Sequence, residues 1–419
     1  MRLSIVPILS LLAGTAILLL GGGLYGTLLA IRANAEGFTS GTVGLIMSAY
    51  YAGFFIGCIQ CPRLIERVGH IRTYAALTAV ASAASLAHAL VLDAASWAAL
   101  RGVAGFCFAG LYMIIESWLN EKVEKDARGR VFAIYMMVNL GSIATGQLFL
   151  LFADPRSFTL FCAVSILISL AAVPLSLTRV APPVQQRMVR LTVRRLWTIS
   201  PLGLFACFGV GLGQGVFWSL SPVFTADAGF SGQGTALFMT TAVLGGLVLQ
   251  WPIGWMSDRY DRRVVICAIC GLTAVAAAVL TALGRHQMGT AVYAVAAVYG
   301  GLSFTIYSLA VAHANDFNKE TGIVALSASL LLVYAVGATI GPTTAGWIAD
   351  HTSAGAVFGY IAAVYLAVAG FSIWRMTRRA APPPSEHGSF VGMARAGPYA
   401  SMIDPRAEAE PGTGDDADD

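Results

Sequence analysis

Long apolar stretches follow one another along almost the whole chain, and short polar loops separate them. Each stretch is about as long as the roughly 20 apolar residues that cross a bilayer core. The first is longer than the apolar part of a secretory signal and is expected to stay as a helix. Twelve stretches lie at approximately residues 5–31, 42–61, 73–93, 95–119, 131–153, 157–178, 200–226, 234–256, 264–285, 289–313, 321–348 and 354–375. The pattern predicts an all-α integral membrane protein with twelve transmembrane helices.

Composition and charge narrow the classes of protein further. Of the 419 residues, 57% are hydrophobic and 11% are charged, whereas about 25% are charged in an ordinary soluble domain. The net charge of +4 does not indicate nucleic-acid binding, because the basic residues are spread over many loops rather than gathered on one face. The lipid bilayer is therefore the expected surroundings of the chain.

The basic residues are distributed very unequally between the loops on the two sides of the membrane. Of the 26 Lys and Arg residues, 22 fall on the side of the N-terminus, whereas Arg32, Arg156 and Arg285 fall on the other side and Arg101 lies within a span. Cytoplasmic loops accumulate Lys and Arg. Both termini are therefore predicted to face the cytoplasm.

Three changes in composition divide the chain. Residues 1–178 and 200–375 each hold six spans, and residues 179–199 form a basic linker that can include a short amphipathic helix. Residues 376–419 are rich in Ala, Pro, Gly and acidic residues, a composition typical of a disordered cytoplasmic tail. The sequence predicts two six-helix bundles related by pseudo-symmetry.

An internal repeat supports the two halves. Glu66-Arg67 after the second span and Asp258-Arg259 after the eighth align with an offset of 192 residues, close to half of the folded length. At these loops the chain resembles the major facilitator superfamily, whose hallmark is Gly-x-x-x-Asp-Arg-x-Gly-Arg-Arg/Lys. The second copy is the better match, because Pro62 replaces the leading Gly in the first copy.

The resemblance implies a secondary transporter of the bacterial cytoplasmic membrane, in a poorly characterised branch of the superfamily. It also implies a conformational latch made by the repeated loops, although the same charges could merely enforce topology. The interleaved acidic residues favour the latch, because topology requires only positive charge. The latch residues carried over are Glu66, Arg67, Gly69, Arg72, Asp258, Arg259, Arg262 and Arg263.

Two charged residues of the fourth span are candidates for coupling or substrate contact. Arg101 resembles the family's interior arginine four residues before a glycine, here Gly105, but its side chain could also snorkel to the nearer interface. Glu116 lies near the predicted cytoplasmic end of the same span. It could titrate during transport, but we favour it as a structural partner of Arg67 or Arg72.

In this fold the first, fourth, seventh and tenth spans line a central cavity. Polar and aromatic residues on these spans suggest an amphipathic or aromatic organic solute. The predicted cavity residues are Tyr25, Tyr112, Gln214, Trp218, Tyr299 and Tyr307.

The sequence thus predicts a carrier of a small organic solute that works as a monomer by alternating access, with efflux as the favoured direction and a proton as a candidate coupling ion. The alternative is a non-transporting receptor on the same fold that signals through its tail. An enzyme is not expected, because no cluster of carboxylate, His and Cys residues converges in the spans. No cofactor and no metal are expected.

Overall fold

The structure is a computed structural model that describes residues 5–123, 127–177, 190–286, 289–318 and 321–378, together with residues 388, 390–392, 397 and 400. Fourteen α-helices and no strands occur in these ranges. The helices of the first half are α1 (Ile5–Ala35), α2 (Ser40–Val68), α3 (His70–Leu90), α4 (Ala94–Lys122), α5 (Arg128–Gln147), α6 (Thr159–Leu170) and α7 (Ala172–Ser176). Those that follow are α8 (Val193–Ile199), α9 (Pro201–Asp227), α10 (Gly232–Arg259), α11 (Arg262–His286), α12 (Ala291–Asp316), α13 (Ile323–His351) and α14 (Ala356–Met376).

Within the described ranges, twelve segments are long and apolar enough to cross a membrane, which confirms the predicted span count. The 3₁₀ turn Leu148–Leu151 completes the fifth span, and α6 with α7 makes the sixth. The short α8 lies in the predicted linker, outside the spans. Most predicted boundaries lie within a few residues of the helix ends, and most helix ends extend beyond the predicted boundary.

Local sequence signals explain where the helices start and stop. The hydroxyl of Thr39 accepts a hydrogen bond from the Thr42 amide at the start of α2, and the carboxylate of Asp93 accepts one from Ser96 at the start of α4. Such residues satisfy amides that have no partner within the helix. Gly69 separates α2 from α3 with a φ of +89°, a conformation that favours glycine.

The two halves repeat the same helix packing. In the first half α1 packs on α5, α2 on α4 and α3 on α6, and in the second half α9 packs on α13, α10 on α12 and α11 on α14. Glycines allow the closest of these contacts. A Cβ atom built on Gly105 would lie 1.9 Å from the carbonyl oxygen of Tyr50, and one on Gly300 would lie 2.0 Å from that of Ala242. The duplication inferred from the loops therefore extends to the helix interfaces.

The halves also contact each other, mainly through α2 with α13, α5 with α10 and α1 with α9. We call the end of the bundle that carries the loops after α2 and α10 the basic end, and the other the opposite end. At the opposite end the amide of Gly41 donates to the carboxylate of Asp350 at 2.9 Å, and the hydroxyls of Thr343 and Ser48 lie 2.9 Å apart. The bundle is therefore closed at the opposite end.

The linker and the tail lie at the basic end, as far as the structure describes them. The guanidinium of Arg190 donates to the carbonyl of Cys58 in α2, and the amide of Leu191 donates to the hydroxyl of Ser329 in α13. The predicted disorder of residues 376–419 does not hold for the six described residues of the tail beyond residue 387. They contact the bundle, and Ala400 is 1% exposed.

Candidate functional site

A small cavity lies between the halves, lined by α1, α2, α4, α5 and α9. Its volume is about 30 Å³, and a single water molecule needs about 10 to 15 Å³ of such space. The wall contains six aromatic side chains and one cation. The side chains that give it this character are Tyr25, Tyr50, Tyr51, Arg101, Phe108, Tyr112 and Trp218. In this conformation the cavity has room for a few water molecules, so a larger solute requires the halves to separate.

Arg101 is the charged group of the cavity. Its side chain is held between two rings, with its guanidinium carbon 4.8 Å from the centre of Tyr25 and 4.5 Å from the centre of Tyr50. Arg101 is 6% exposed, and none of the carboxylates in the described ranges forms an ion pair with it. The guanidinium therefore faces the interior and does not snorkel to the interface.

A series of hydrogen-bonded side chains extends from the cavity towards the opposite end. The hydroxyl of Tyr25 lies 3.0 Å from Nδ1 of His88, which is fully buried. The same nitrogen lies 2.7 Å from the carbonyl oxygen of Ala84, and Nε2 lies 3.3 Å from that of Trp97. The contacts fix the Tyr25 ring beside Arg101, so His88 acts as a packing residue that holds the cavity wall.

The predicted cavity residues divide into two groups. Tyr25, Tyr112 and Trp218 line the cavity. Gln214, Tyr299 and Tyr307 are not part of its wall, because other groups of the second half already hold them. Their contacts are a hydrogen bond from the Gln214 amide to the Ser303 carbonyl at 2.9 Å, ring packing of Tyr299 on Phe217, and ring packing of Tyr307 on Tyr334.

Sequence reasoning missed the contribution of the second span. Tyr50 and Tyr51 stand next to each other in the middle third of α2, and both line the cavity together with Met47. Membrane tyrosines are enriched at the interfaces, so an adjacent pair at this depth is a signal that could have been used. Phe108, seven residues after Arg101 on α4, is a third missed wall residue.

Glu116 is fully buried towards the basic end of α4. Its carboxylate accepts a hydrogen bond from the hydroxyl of Tyr135 at 3.1 Å and one from the amide of Gly397 in the tail at 2.5 Å. The structure does not bring Glu116 to its predicted partners. Arg67 and Arg72 are exposed and make no ion pair within the described ranges.

The second copy of the repeated loop forms a compact ion-pair network. Arg262 is 1% exposed and donates to both carboxylate oxygens of Asp316 at 2.7 and 2.8 Å and to Asp258 at 2.9 Å. This network joins α10, α11 and α12. Arg263 pairs with Asp261 at 2.7 Å. Partial burial alone would raise the pKa of Asp261, but the hydrogen bonds from Arg263 outweigh it and lower the pKa below its ordinary value.

Among the residues that the structure describes, the first copy of the loop makes no comparable network in this conformation. Glu66, Arg67 and Arg72 are exposed around the turn at Gly69. In the second copy Arg259 is also exposed, with its guanidinium 4.0 Å from the ring centre of Trp255. The predicted latch residues therefore fall into a closed network around Arg262 and a set of exposed charges.

Comparison with known proteins decides the family. The sequence model of the Major Facilitator Superfamily matches residues 11–231 and 203–403, which together cover most of the chain. The chain belongs to the major facilitator superfamily. Relatives include uncharacterized MFS-type transporters of Enterobacter sp. (strain 638), 29% identical over 85% of this chain and 93% of the relative, and of Escherichia fergusonii, 28% identical over the same shares.

Solved structures of the superfamily share the fold at low identity. A mutant of the nucleoside transporter NupG has a TM-score of 0.74 at 13% identity, covering 88% of this chain and 99% of that one. A bacterial homologue of the lysosomal transporter Spinster has a TM-score of 0.69 at 14% identity, covering 91% and 98%. These structures show the shared fold, whereas membership of the superfamily indicates a non-enzymatic membrane transporter.

Proposed function

We propose that this transporter carries a small organic anion with a flat apolar part, and that Arg101 binds its negative charge. The observation that carries the proposal is the buried guanidinium of Arg101, which faces the cavity between the rings of Tyr25 and Tyr50. An arginine at this depth costs about 3 kcal/mol or more on insertion scales unless it is compensated. The two rings compensate part of that cost, and an anionic solute would supply the remaining charge.

The remaining wall favours an aromatic or otherwise planar body. The ring of Phe108 packs on two tyrosines, with its centroid 6.2 Å from that of Tyr50 and 6.1 Å from that of Tyr112. Trp218 faces them from the other half and is stacked at 5.3 Å on Phe304. Ligand sites of this kind combine apolar walls with a few polar groups that fix orientation. Both halves would then contact the solute.

Transport would proceed by rocking of residues 1–178 against residues 200–375 around the cavity. With the basic end in the cytoplasm, the closed opposite end corresponds to an inward-facing arrangement. We assign the exposed charges of Glu66, Arg67 and Arg72 to a latch that forms only when the basic end closes. The positive loops support a place in the bacterial cytoplasmic membrane, with both termini inside and the monomer as the working unit.

The proposal is tested with purified protein in proteoliposomes and a panel of aromatic and aliphatic carboxylates, each paired with its neutral amide. We expect flux of one or more aromatic carboxylates and not of the matching amides. Arg101→Gln should lower that flux about tenfold or more, because a hydrogen bond to a charged group contributes about 1.5 to 3 kcal/mol. Arg101→Lys should retain part of it.

Arg378→Gln is the matched control, because Arg378 also lies over an aromatic ring, that of Trp374 at 5.7 Å, but is exposed just after the last helix. Its flux should equal that of the wild type. Equal flux of carboxylates and amides, with no effect of Arg101→Gln, would refute the anion proposal. Running the assay in both directions tests the proposed efflux, and an imposed pH gradient tests coupling to protons.

The receptor alternative retains one supporting observation, the contact between the tail and Glu116. A receptor would bind the carboxylate, measured as a rise in thermal stability, without moving it across the membrane. Binding that depends on Arg101 but is accompanied by no flux in either direction would favour the receptor over the carrier.

A further inference from the structure

Three carboxylates around the basic end of the bundle accept hydrogen bonds from backbone amides of the tail. The amide of Gly388 donates to Asp316 at 3.2 Å, and the amide of Phe390 donates to Asp258 at 2.8 Å. The amide of Gly397 donates to Glu116 at 2.5 Å. Asp258 and Asp316 belong to the second half, whereas Glu116 belongs to the first. Residues of one tail segment therefore bind both halves at once.

Packing contacts accompany these hydrogen bonds. The ring of Phe390 lies against Gly254, where a Cβ atom would come within 2.3 Å of it. The carbonyl of Gly388 also accepts a hydrogen bond from Arg262, the central residue of the buried network. Val391 is 9% exposed and Ala400 is 1% exposed. Apolar side chains of the tail are thus removed from water at this site.

The tail reaches the edge of the solute cavity. Tyr112 lines the cavity, and its Cβ atom would lie 2.8 Å from a Cβ atom built on Gly397. A Cβ atom at this position would also come within 2.6 Å of the Glu116 carboxylate, so a larger residue would displace that side chain. The Gly397 backbone therefore stands between the cavity and the basic end.

The sequence of this stretch differs from the rest of the tail. Residues 388–400 contain no acidic residue and one arginine, whereas residues 401–419 contain seven acidic residues. Asp258 and Asp316 are already paired with Arg262, so an acidic segment would be repelled mainly by Glu116, whereas a neutral segment that offers backbone amides can donate to all three carboxylates. The neutral stretch is therefore better suited to this site than the acidic end of the tail.

We propose that the basic end of the bundle is a peptide-binding site whose occupant is the chain's own tail, bound through residues 388, 390–392, 397 and 400, and that the bound tail segment autoinhibits the transporter. It blocks the exit from the cavity on that side and prevents the basic ends of the two halves from closing. This inference rests on the alternating access proposed above but not on the identity of the solute. Release of the segment would let the opposite end open.

The test is amide hydrogen–deuterium exchange of the full-length protein in lipid nanodiscs, which needs no solute. In the wild type, amides of residues 388–400 should exchange about tenfold or more slowly than those of residues 401–419, since bound amides exchange only after local opening. Gly397→Asp places a second carboxylate against Glu116 and should abolish that difference. Gly412→Asp makes the same change in the acidic part of the tail and is the matched control.

The second readout is exchange in residues 40–48, which form the closed contact at the opposite end. Gly397→Asp should accelerate it severalfold, and Gly412→Asp should leave it unchanged. Rapid exchange of residues 388–400 in the wild type would overturn the binding site. Slow exchange there, lost in Gly397→Asp without any change in residues 40–48, would overturn autoinhibition. Neither result depends on whether organic anions are transported, so the two proposals can fail separately.

Discussion

At the scale of single residues, two buried arginines have different surroundings and so different roles. The guanidinium of Arg262 forms ion pairs with Asp316 and Asp258. Arg101 has aromatic rings in place of carboxylates. Removing one partner of a buried ion pair leaves the other charge uncompensated, which destabilises a protein strongly. Arg262 is therefore expected to stabilise the second half, whereas Arg101 is the residue that we propose binds the solute.

Arg262→Gln should lower the free energy of unfolding by about 3 to 5 kcal/mol, because Asp316 would lose its bidentate partner in a buried site. Arg259→Gln is the neighbouring control. Arg259 is exposed on the ring of Trp255, and such contacts contribute about 0.5 to 1 kcal/mol. Thermal and denaturant unfolding in the same detergent compares the two. Equal losses would show that the Arg262 network does not stabilise the fold.

At the scale of helices, glycines decide how closely the helices of each half pack. Gly53 and Gly105 bring α2 and α4 together, and Gly245 and Gly300 do the same for α10 and α12. Membrane helices associate largely through such small residues. Tyr50, whose carbonyl contacts Gly105, also holds Arg101. The α2–α4 interface thus positions the proposed anion site.

Gly105→Ala should destabilise the protein by about 1 to 3 kcal/mol, because the added methyl group would overlap the backbone of Tyr50. It should also weaken carboxylate flux by moving the ring of Tyr50 away from Arg101. Gly141→Ala on α5 is the control, since no atom lies within 4 Å of the added Cβ. Its melting temperature should stay equal or rise. A melting temperature of Gly105→Ala equal to that of Gly141→Ala would contradict the packing argument.

At the scale of the whole molecule, the two halves are in close contact at the opposite end, whereas the described residues of the tail lie at the basic end. The approach of α2 to α13 depends on Gly44, where a Cβ atom would lie 2.2 Å from the carbonyl oxygen of Pro342. The hydrogen bond between Gly41 and Asp350 lies beside this point. A single added methyl group should therefore oppose closure without affecting either half by itself.

Gly44→Ala should shift the population towards opening at the opposite end. Distance measurements between spin labels at the exposed residues Glu36 and Ser353 should then show a longer component. Gly359→Ala, which has no atom within 4 Å of its Cβ, should give the wild-type distribution. An unchanged distribution in Gly44→Ala would contradict the assigned role of this contact.

The sequence by itself determined the span count, the duplicated halves and the basic loops, because lipid imposes a fixed length and hydrophobicity on every crossing segment. It also singled out Arg101, since an isolated charge within a span needs a reason. The resemblance to the superfamily rested on the same loops, and the match of the family's sequence model confirmed it. These features depend on each residue's own chemistry and on near neighbours in the chain.

Only the tertiary structure decided which side chains share the cavity. Tyr50 joins Arg101, whereas Tyr299 turns towards Phe217, because rotation of each helix about its axis is fixed by contacts with distant helices. The partner that Glu116 has in this conformation could likewise not be predicted from sequence, because Gly397 lies 281 residues away in a tail whose composition is typical of disorder. Long-range packing, which carries no local signature, placed the tail against the carboxylates of both halves.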